Sequence, residues 1–338
     1  MRPLIDADIL LYEIGFSSEQ KADDEVLPNS WEFAQELLDN RIKFICDEVE
    51  ATEPPLLFLT NTKRINKLLN KQRKREGDKP KDYVENFRVE VAQSITKDDT
   101  DSKEYKGGRK AAKPFHFHNL LSYILSAYPY HIDEGGLEAD DAMVIYQYSR
   151  WKQGLKDTII CSRDKDVRQC PGWHYSWEIA NQPSVGPIEV DELGWLEHKN
   201  LGERDKKGHL KPAKIFGVGD KFFYYQLLVG DTVDAVAGIK NRGPVFAYNL
   251  LKDATSSREC YELVAEKYVQ AWGDRWKEKM KQQSALLWMV REFDEKGEKV
   301  LWRPPQRLES EMSGSQVTHT SVTTTSSNTV DDLSATQS

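Results

Sequence analysis

Apolar residues fall into two alternating patterns along the chain: short unbroken runs, and longer stretches in which they recur at helical spacing. Residues 3–12, PLIDADILLY, predict a first strand. In 31-WEFAQELLDNRIKFICDEVE-50, Phe33, Leu37, Leu38, Ile42 and Ile45 recur at spacings of one, three and four, which predicts a helix. Pro54–Pro55 end it, and 56-LLFLT-60 follows as a strand apolar enough to be buried on both faces. Residues 62–114 are rich in Lys, Arg and Asp and carry only weak periodicity. The stretch 114-PFHFHNLLSYILSAYP-129 predicts another helix, then a short strand at 129-PYHID-133 and a turn at Gly135–Gly136. A helix over 137-LEADDAMVIYQYSRW-151 precedes the strand 158-TIIC-161. Strand and helix in alternation predict an α/β fold: a central, mostly parallel sheet with helices on both faces.

Beyond Pro171 the strand signals shorten, at 173–179 and 185–190, and residues 214–302 read as helical and punctuated by glycine. Residues 306–338 are dominated by Ser and Thr, a composition expected of a disordered tail. At 338 residues, 39% hydrophobic and 30% charged, the chain has the make-up of a soluble protein with one large domain or two intimate ones. No apolar run reaches 18 residues, so no membrane span is expected. Two aspartates interrupt the apolar opening segment, which reads as fold and not as a signal peptide. The four cysteines, Cys46, Cys161, Cys170 and Cys260, have no CxxC spacing. That argues against a zinc site or a disulfide framework and for a reducing, cytoplasmic setting. The net charge is −8, yet residues 62–114 hold 16 Lys and Arg against 9 Asp and Glu, a surplus of +7 that leaves −15 elsewhere. Such a segment is either a polyanion-docking surface or a solvated insertion.

The chemistry-bearing feature is acidic. Asp6 and Asp8 stand at the end of the first strand, Glu138, Asp140 and Asp141 open a helix, and Asp164 and Asp166 follow the fourth strand. Asp231 and Asp234 in 227-LLVGDTVDAVAG-238 form a further pair spaced i, i+3. In open parallel sheets, ligands sit beyond the carboxyl ends of the strands, where the first three groups converge. Acidic residues at a helix start also complement the dipole, and a polar loop tip needs no special role. Together, however, the carboxylates would repel one another unless cations bound among them. An oxygen-only donor set suits a hard ion such as Mg²⁺ or Mn²⁺. Two such ions, about 3.5–4 Å apart, activate water and stabilise a leaving oxygen in phosphodiester hydrolysis.

In this order and spacing the motifs resemble the structure-specific 5′ nucleases, relatives of flap endonucleases and of polymerase-associated 5′-nuclease domains, and most of all phage-encoded 5′→3′ exonucleases. The matching blocks are LIDAD with Asp6, NFR at 86–88, YKGGRK at 105–110, LEADDA at 137–142, SRDKDVRQ at 162–169 and VGDTVDAVAGIKNRGPVFAYNLL at 229–251. LLWMVREFDEKGEKVLWRPP at 286–305 closes the series, so the resemblance spans most of 1–305. It implies a PIN-like catalytic domain over 1–200, with 62–114 as an arch over the site. A helical DNA-binding region would fill 201–305, built round a helix–three-turn–helix at 229–251. By the same resemblance Asp6, Glu138, Asp140 and Asp164 would hold one ion. Asp166, Asp231 and Asp234 would hold a second near Asp164, and Asp141 would act as an outer ligand through water. Lys106 would meet the scissile phosphate, with Arg109 and Lys110 guiding the strand, Tyr105 stacking on a base and Arg88 in a similar role. Gly238, Lys240, Arg242 and Gly243 would contact the duplex backbone.

The chain departs from the family in three places. Many members have an aspartate after the second strand where this chain reads 57-LFLTNT-62, and Thr60 or Asn61 offers only a neutral ligand. Asn241 and Val245 replace a usual glycine and lysine. The segment 62–85 is longer and more charged than the family leads one to expect, as an insertion with its own DNA contacts or a mobile element. The implied activity is hydrolysis at the 5′ ends of duplex DNA and RNA–DNA hybrids by two Mg²⁺ or Mn²⁺ ions, in the host cytoplasm alongside phage replication proteins. The alternatives are a flap endonuclease, a PIN-type ribonuclease and a catalytically inactive DNA-end-binding protein.

Overall fold

A computed structural model of the chain describes residues 1–22, 25–98, 112–180 and 182–305. Its frame is a six-stranded sheet in the order β5-β4-β1-β6-β7-β8. The strands are β1 (Arg2–Asp6), a separate hairpin β2 (Glu19–Ala22) and β3 (Glu25–Pro28), β4 (Leu56–Leu59), β5 (Tyr130–Ile132), β6 (Thr158–Cys161), β7 (Gly172–Ser176) and β8 (Val185–Val190). All neighbours in the main sheet pair in parallel except β8, which runs antiparallel to β7. Helices α1 (Ala7–Ser17), α2 (Trp31–Glu48), α3 (Lys63–Glu76), α4 (Phe87–Asp98), α5 (Phe117–Ala127) and α6 (Ala139–Lys152) fill the connections. The chain places β4 and β5 on one side of β1, then crosses to β6 on the other, so the topological switch point lies between β1 and β6. In such sheets that crevice is where ligands bind.

Alternation along the central strands divides the core. Ile5, Leu57, Leu59, Ile159 and Cys161 join the cluster containing residues of α1, α2 and α5. Leu4, Phe58 and Ile160 pack with Ala142, Met143 and Val144 of α6. Leu57, Phe58 and Leu59 are at most 1% exposed, so β4 is buried on both faces as its run of apolar residues predicts. The remaining elements are β9 (Leu196–His198), β10 (Ile215–Gly217), α7 (Gly219–Val229), β11 (Gly230–Asp231), β12 (Val236–Ala237), α8 (Pro244–Leu251), α9 (Ser257–Trp272) and α10 (Trp276–Leu287). Their own core centres on Phe223, Leu227, Leu251, Val264 and Tyr268. Met1–Pro304 cluster as one unit and Pro305–Ser338 as another, of which only Pro305 is described. The Ser/Thr-rich stretch 306–338 lies outside the described residues. Among those described, no helix is long and apolar enough to cross a membrane. All four cysteines are free.

Three sequence expectations need correction. The first strand stops at Asp6, not residue 12, because the Asp6 carboxylate accepts from the Ile9 amide at 3.2 Å and caps α1. Leu10, Leu11 and Ile14 then bury on one helical face. The start of the basic stretch is helical: Thr62 caps α3 through the Ile65 amide at 3.2 Å, and Gly77, at φ +86°, ends it. Finally, helix does not continue to residue 302. After α10, the segment from Trp288 runs non-helically, and its amides and carbonyls are bound by buried side chains of other elements.

His174 on β7 is 2% exposed, and its Nε2 donates to the Cys170 carbonyl at 2.7 Å. Burial pulls its pKa down to about 4, with the positive charge of Arg168 acting the same way. Because this pKa lies below the unfolded value, the contribution to stability is present above pH ~6.5 and is lost as pH falls toward 4. Between pH 7 and pH 5 the loss is about 2 kcal/mol by proton linkage. Urea unfolding of wild type and His174→Gln at both pH values reads it as the difference in pH dependence between the two proteins. Equal dependence would rule out a neutral buried imidazole.

Candidate metal centre and nucleic-acid interface

At the switch point, Asp6 ends β1 and is 2% exposed. Ser162, just past β6, donates to its Oδ2 at 2.9 Å and accepts from the Asp164 amide at 2.9 Å. One hydroxyl thus ties the two strand ends together. Thr60, just past β4, joins the third: its amide donates to Asp8 Oδ2 at 3.0 Å, and its Oγ1 accepts from the Ala139 amide at 2.9 Å. The Thr60 hydroxyl therefore caps the start of α6. Glu138, the formal N-cap residue, makes no capping bond with its own side chain. Asn61, next to Thr60, is 6% exposed, and among the described residues neither of its amide side-chain atoms has a hydrogen-bond partner. Asp6, Asp8, Glu138, Asp140 and Asp164 line one cavity of about 760 Å³. Burial, then the negative charge of Asp8, raises the Asp6 pKa to about 7, with Asp164 adding to the effect.

The second group adjoins the first. Asp164, Asp166, Asp231 and Asp234 line a cavity of about 1020 Å³, and Asp164 lines both cavities. Asp164 Oδ1 accepts from the Asp166 amide at 2.9 Å, which folds the D-x-D strand end back on itself. Gln226 of α7 donates to Asp166 Oδ1 at 2.7 Å. Burial, then the charge of Asp164, raises the Asp166 pKa to about 6 against the pull of Lys165. Lys165 is the unexpected member: its ammonium bonds Asp166 Oδ1 at 2.8 Å and also Asp231 Oδ2, bridging the two carboxylates. Burial acts to raise the Asp231 pKa, but Lys165 and the Val233 and Asp234 amides outweigh it and hold the carboxyl below its ordinary value.

Asp231 and Asp234 are presented by a helical hairpin, α7 and α8 joined through the β11–β12 pairing. Asn241 takes φ +62°, the left-handed conformation that a glycine would adopt freely. A Cβ on Gly238 would meet the Val229 carbonyl carbon at 2.2 Å, so this glycine lets the loop close on α7. Lys240 and Gly243 are exposed, and the Arg242 guanidinium sits 4.5 Å from the Phe246 ring centroid.

Two expected roles are corrected. Arg88 is 3% exposed and Asp141 0%, so neither meets a ligand from solvent. The Arg88 guanidinium grips both Asp141 oxygens, with Nη2 to Oδ1 at 2.8 Å, and donates to the Trp288 carbonyl at 2.6 Å. Asp141 also accepts from the Val290 amide at 2.9 Å. The pair fastens α4, α6 and the segment after α10 behind Glu138 and Asp140. The Asp141 partner of Arg88 lies 53 residues away in sequence. Tyr105, Lys106, Arg109 and Lys110 lie outside the described residues.

Among the described residues, no three His, Cys, Asp or Glu side chains form a ready-made metal cage. The donors still suit a hard divalent ion. They are all oxygens, two of them have pKa values raised by burial and mutual repulsion, and a cation already sits between Asp166 and Asp231. Mg²⁺ ordinarily keeps several waters and takes few protein ligands directly.

The class the coordinates define is a mixed α/β fold with a mostly parallel six-stranded sheet, an acidic crevice and an appended helical hairpin. Solved structures similar to it include the T5 D15 protein co-crystallized with metal ions, at 12% identity and TM-score 0.47, covering 84% of this chain and 88% of that one. The bacteriophage T5 D15 flap endonuclease in a pseudo-enzyme-product complex with DNA and metal ions is similar at 10% identity and TM-score 0.43, covering 82% and 96%. The catalytic core of Rad2 in complex with DNA substrate follows at 16% and 0.37, covering 82% and 68%. No family model and no curated protein sequence matches the chain.

Proposed function

We propose that this chain is a divalent-metal-dependent 5′→3′ exonuclease acting on 5′ ends of duplex DNA and on RNA–DNA hybrids. One observation carries the reading: carboxylates from β1, α6, the end of β6 and the α7–α8 hairpin line two adjoining cavities that share Asp164. Asp6, Glu138, Asp140 and Asp164 would hold one ion, and Asp164, Asp166, Asp231 and Asp234 a second. Mg²⁺ or Mn²⁺ bound there supplies Lewis acidity and a water acidic enough to attack a phosphodiester near neutral pH. The protein's part is to keep the donors in place. Ser162 fixes Asp6 and Asp164, Thr60 fixes Asp8 and the start of α6, and Gln226 fixes Asp166. Lys240, Arg242 and Gly243 on the hairpin would hold the duplex through phosphates, which positions the strand without reading sequence. Tyr105, Lys106, Arg109 and Lys110 would guide the 5′ strand.

Non-hydrolytic binding of DNA ends is the second reading, and it has two observations in its favour. Thr60 replaces a family aspartate, and the acidic side chains form no closed cage among the described residues. The assay that separates the two uses blunt duplex, 5′-flap and RNA–DNA substrates labelled at the 5′ end, with Mg²⁺, Mn²⁺ or a chelator. The expected result is short 5′-phosphorylated products with either metal and none with the chelator. Binding without cleavage under every metal condition would sink the nuclease and leave the end-binder.

A further inference from the structure

The larger cavity has a wall that the proposed hydrolysis does not use. Arg168, in the 3₁₀ turn after Asp166, sits half-buried with its guanidinium 4.7 Å from the Phe216 ring centroid on β10. Its Nε donates to the Lys165 carbonyl at 3.3 Å. Lys199 approaches the same ring at 5.0 Å, and Lys214 lines the cavity beside it. Lys199 is partly neutralised by Glu197 at 2.6 Å, and Arg163 is taken up by the Trp177 carbonyl and Gln182. Among the described residues, neither Arg168 nor Lys214 forms an ion pair.

A partly desolvated guanidinium on an aromatic face, without a counter-ion, is costly unless an anion completes it. The cavity, about 1020 Å³, is as large as small-molecule sites become, and its other wall is the second carboxylate group. Phosphate is the anion whose chemistry fits both walls: cations and a ring on one, carboxylates suited to metal on the other. We infer that the Arg168–Phe216–Lys214 wall binds a nucleotide phosphate next to the one held at the carboxylates. This assignment rests on the nuclease reading for its choice of ligand.

The test needs no turnover. A single-stranded oligonucleotide with a 5′ phosphate and a 3′ fluorophore is titrated in chelator from 50 to 200 mM salt, and anisotropy gives the affinity. Arg168→Ala/Lys214→Ala is expected to bind at least tenfold more weakly. The slope of log affinity against log salt should flatten by about 1.4, the release expected for two single-strand phosphate contacts. Lys206→Ala/Lys207→Ala, which removes two exposed charges from the β9–β10 loop, should keep the wild-type slope, as should Arg168→Lys/Lys214→Arg. Unfolding midpoints matched to wild type exclude loss of fold. A wild-type slope in the Arg168/Lys214 double variant, or an equal drop in the Lys206/Lys207 pair, overturns the site. Competition with a 5′-mononucleotide assigns the source: displacement from wild type marks a pocket for released product, and displacement only by a longer strand marks a strand contact. If the slope changes as expected and no substrate is cleaved, the nuclease reading falls and the phosphate site stands.

Discussion

Asp164→Asn is expected to lower metal-dependent cleavage by about a hundred- to a thousandfold, the scale on which removing one charge-stabilising group from a reaction centre acts. Asp164 is the carboxylate common to both cavities, so neutralising it weakens both groups of ligands at once. Asparagine keeps an oxygen to accept from the Asp166 amide, and the Ser162 bond to the Asp164 backbone is untouched. The D-x-D turn should therefore keep its shape. Binding of duplex DNA in chelator is expected to stay equal or tighten slightly, since one negative charge facing a polyanion has gone. Cleavage within tenfold of wild type would remove Asp164 from the proposed chemistry. A parallel loss of DNA binding and thermal stability would make it a structural residue.

The second large effect concerns stability. Arg88→Met leaves Asp141 wholly buried with its ion-pair partner gone, and breaking a buried pair in this way costs about 3–5 kcal/mol. Adding Asp141→Met removes the stranded charge and should recover part of that loss, although the Val290 amide then lacks its acceptor. Denaturant unfolding of the two single variants and the double variant checks it: the double should lose less than the sum of the singles. Additive losses would mean that the two groups do not act as a pair. If Arg88 instead served DNA, the single variant would lose affinity while keeping its unfolding midpoint.

Much of the frame was legible before any coordinates. Runs such as LLFL and TIIC have no helical spacing and too few polar residues for an edge, so they read as central strands. The acidic groups were legible for the same reason: a carboxylate just past a buried strand stands where the sheet ends. What was not legible depends on partners distant in sequence. Arg88 read as a DNA-contacting arginine because nothing nearby marks Asp141 or the Trp288 carbonyl as its partners. Thr60 looked like a lost ligand, and only the fold shows its hydroxyl capping a helix 79 residues on. The end of the first strand was misplaced because DILLY is apolar enough for either structure; the Asp6 cap and the 3.6-residue face decide for helix. Lys63–Glu76 was hidden by its charge, although Thr62, Ile65 and Gly77 carry ordinary start, core and stop signals.

The ammonium of Lys165 gives the crevice an internal electrolyte. Asp166 and Asp231 share a tethered monovalent counter-charge, which relieves part of the repulsion between them. Under the nuclease reading, an ion held by Asp166 and Asp231 would have to displace the Lys165 ammonium that already bridges them. The displaced amine would stay tethered beside a nucleic-acid strand bound at the site. Loading of the site and a new positive charge for the strand would thus be a single event.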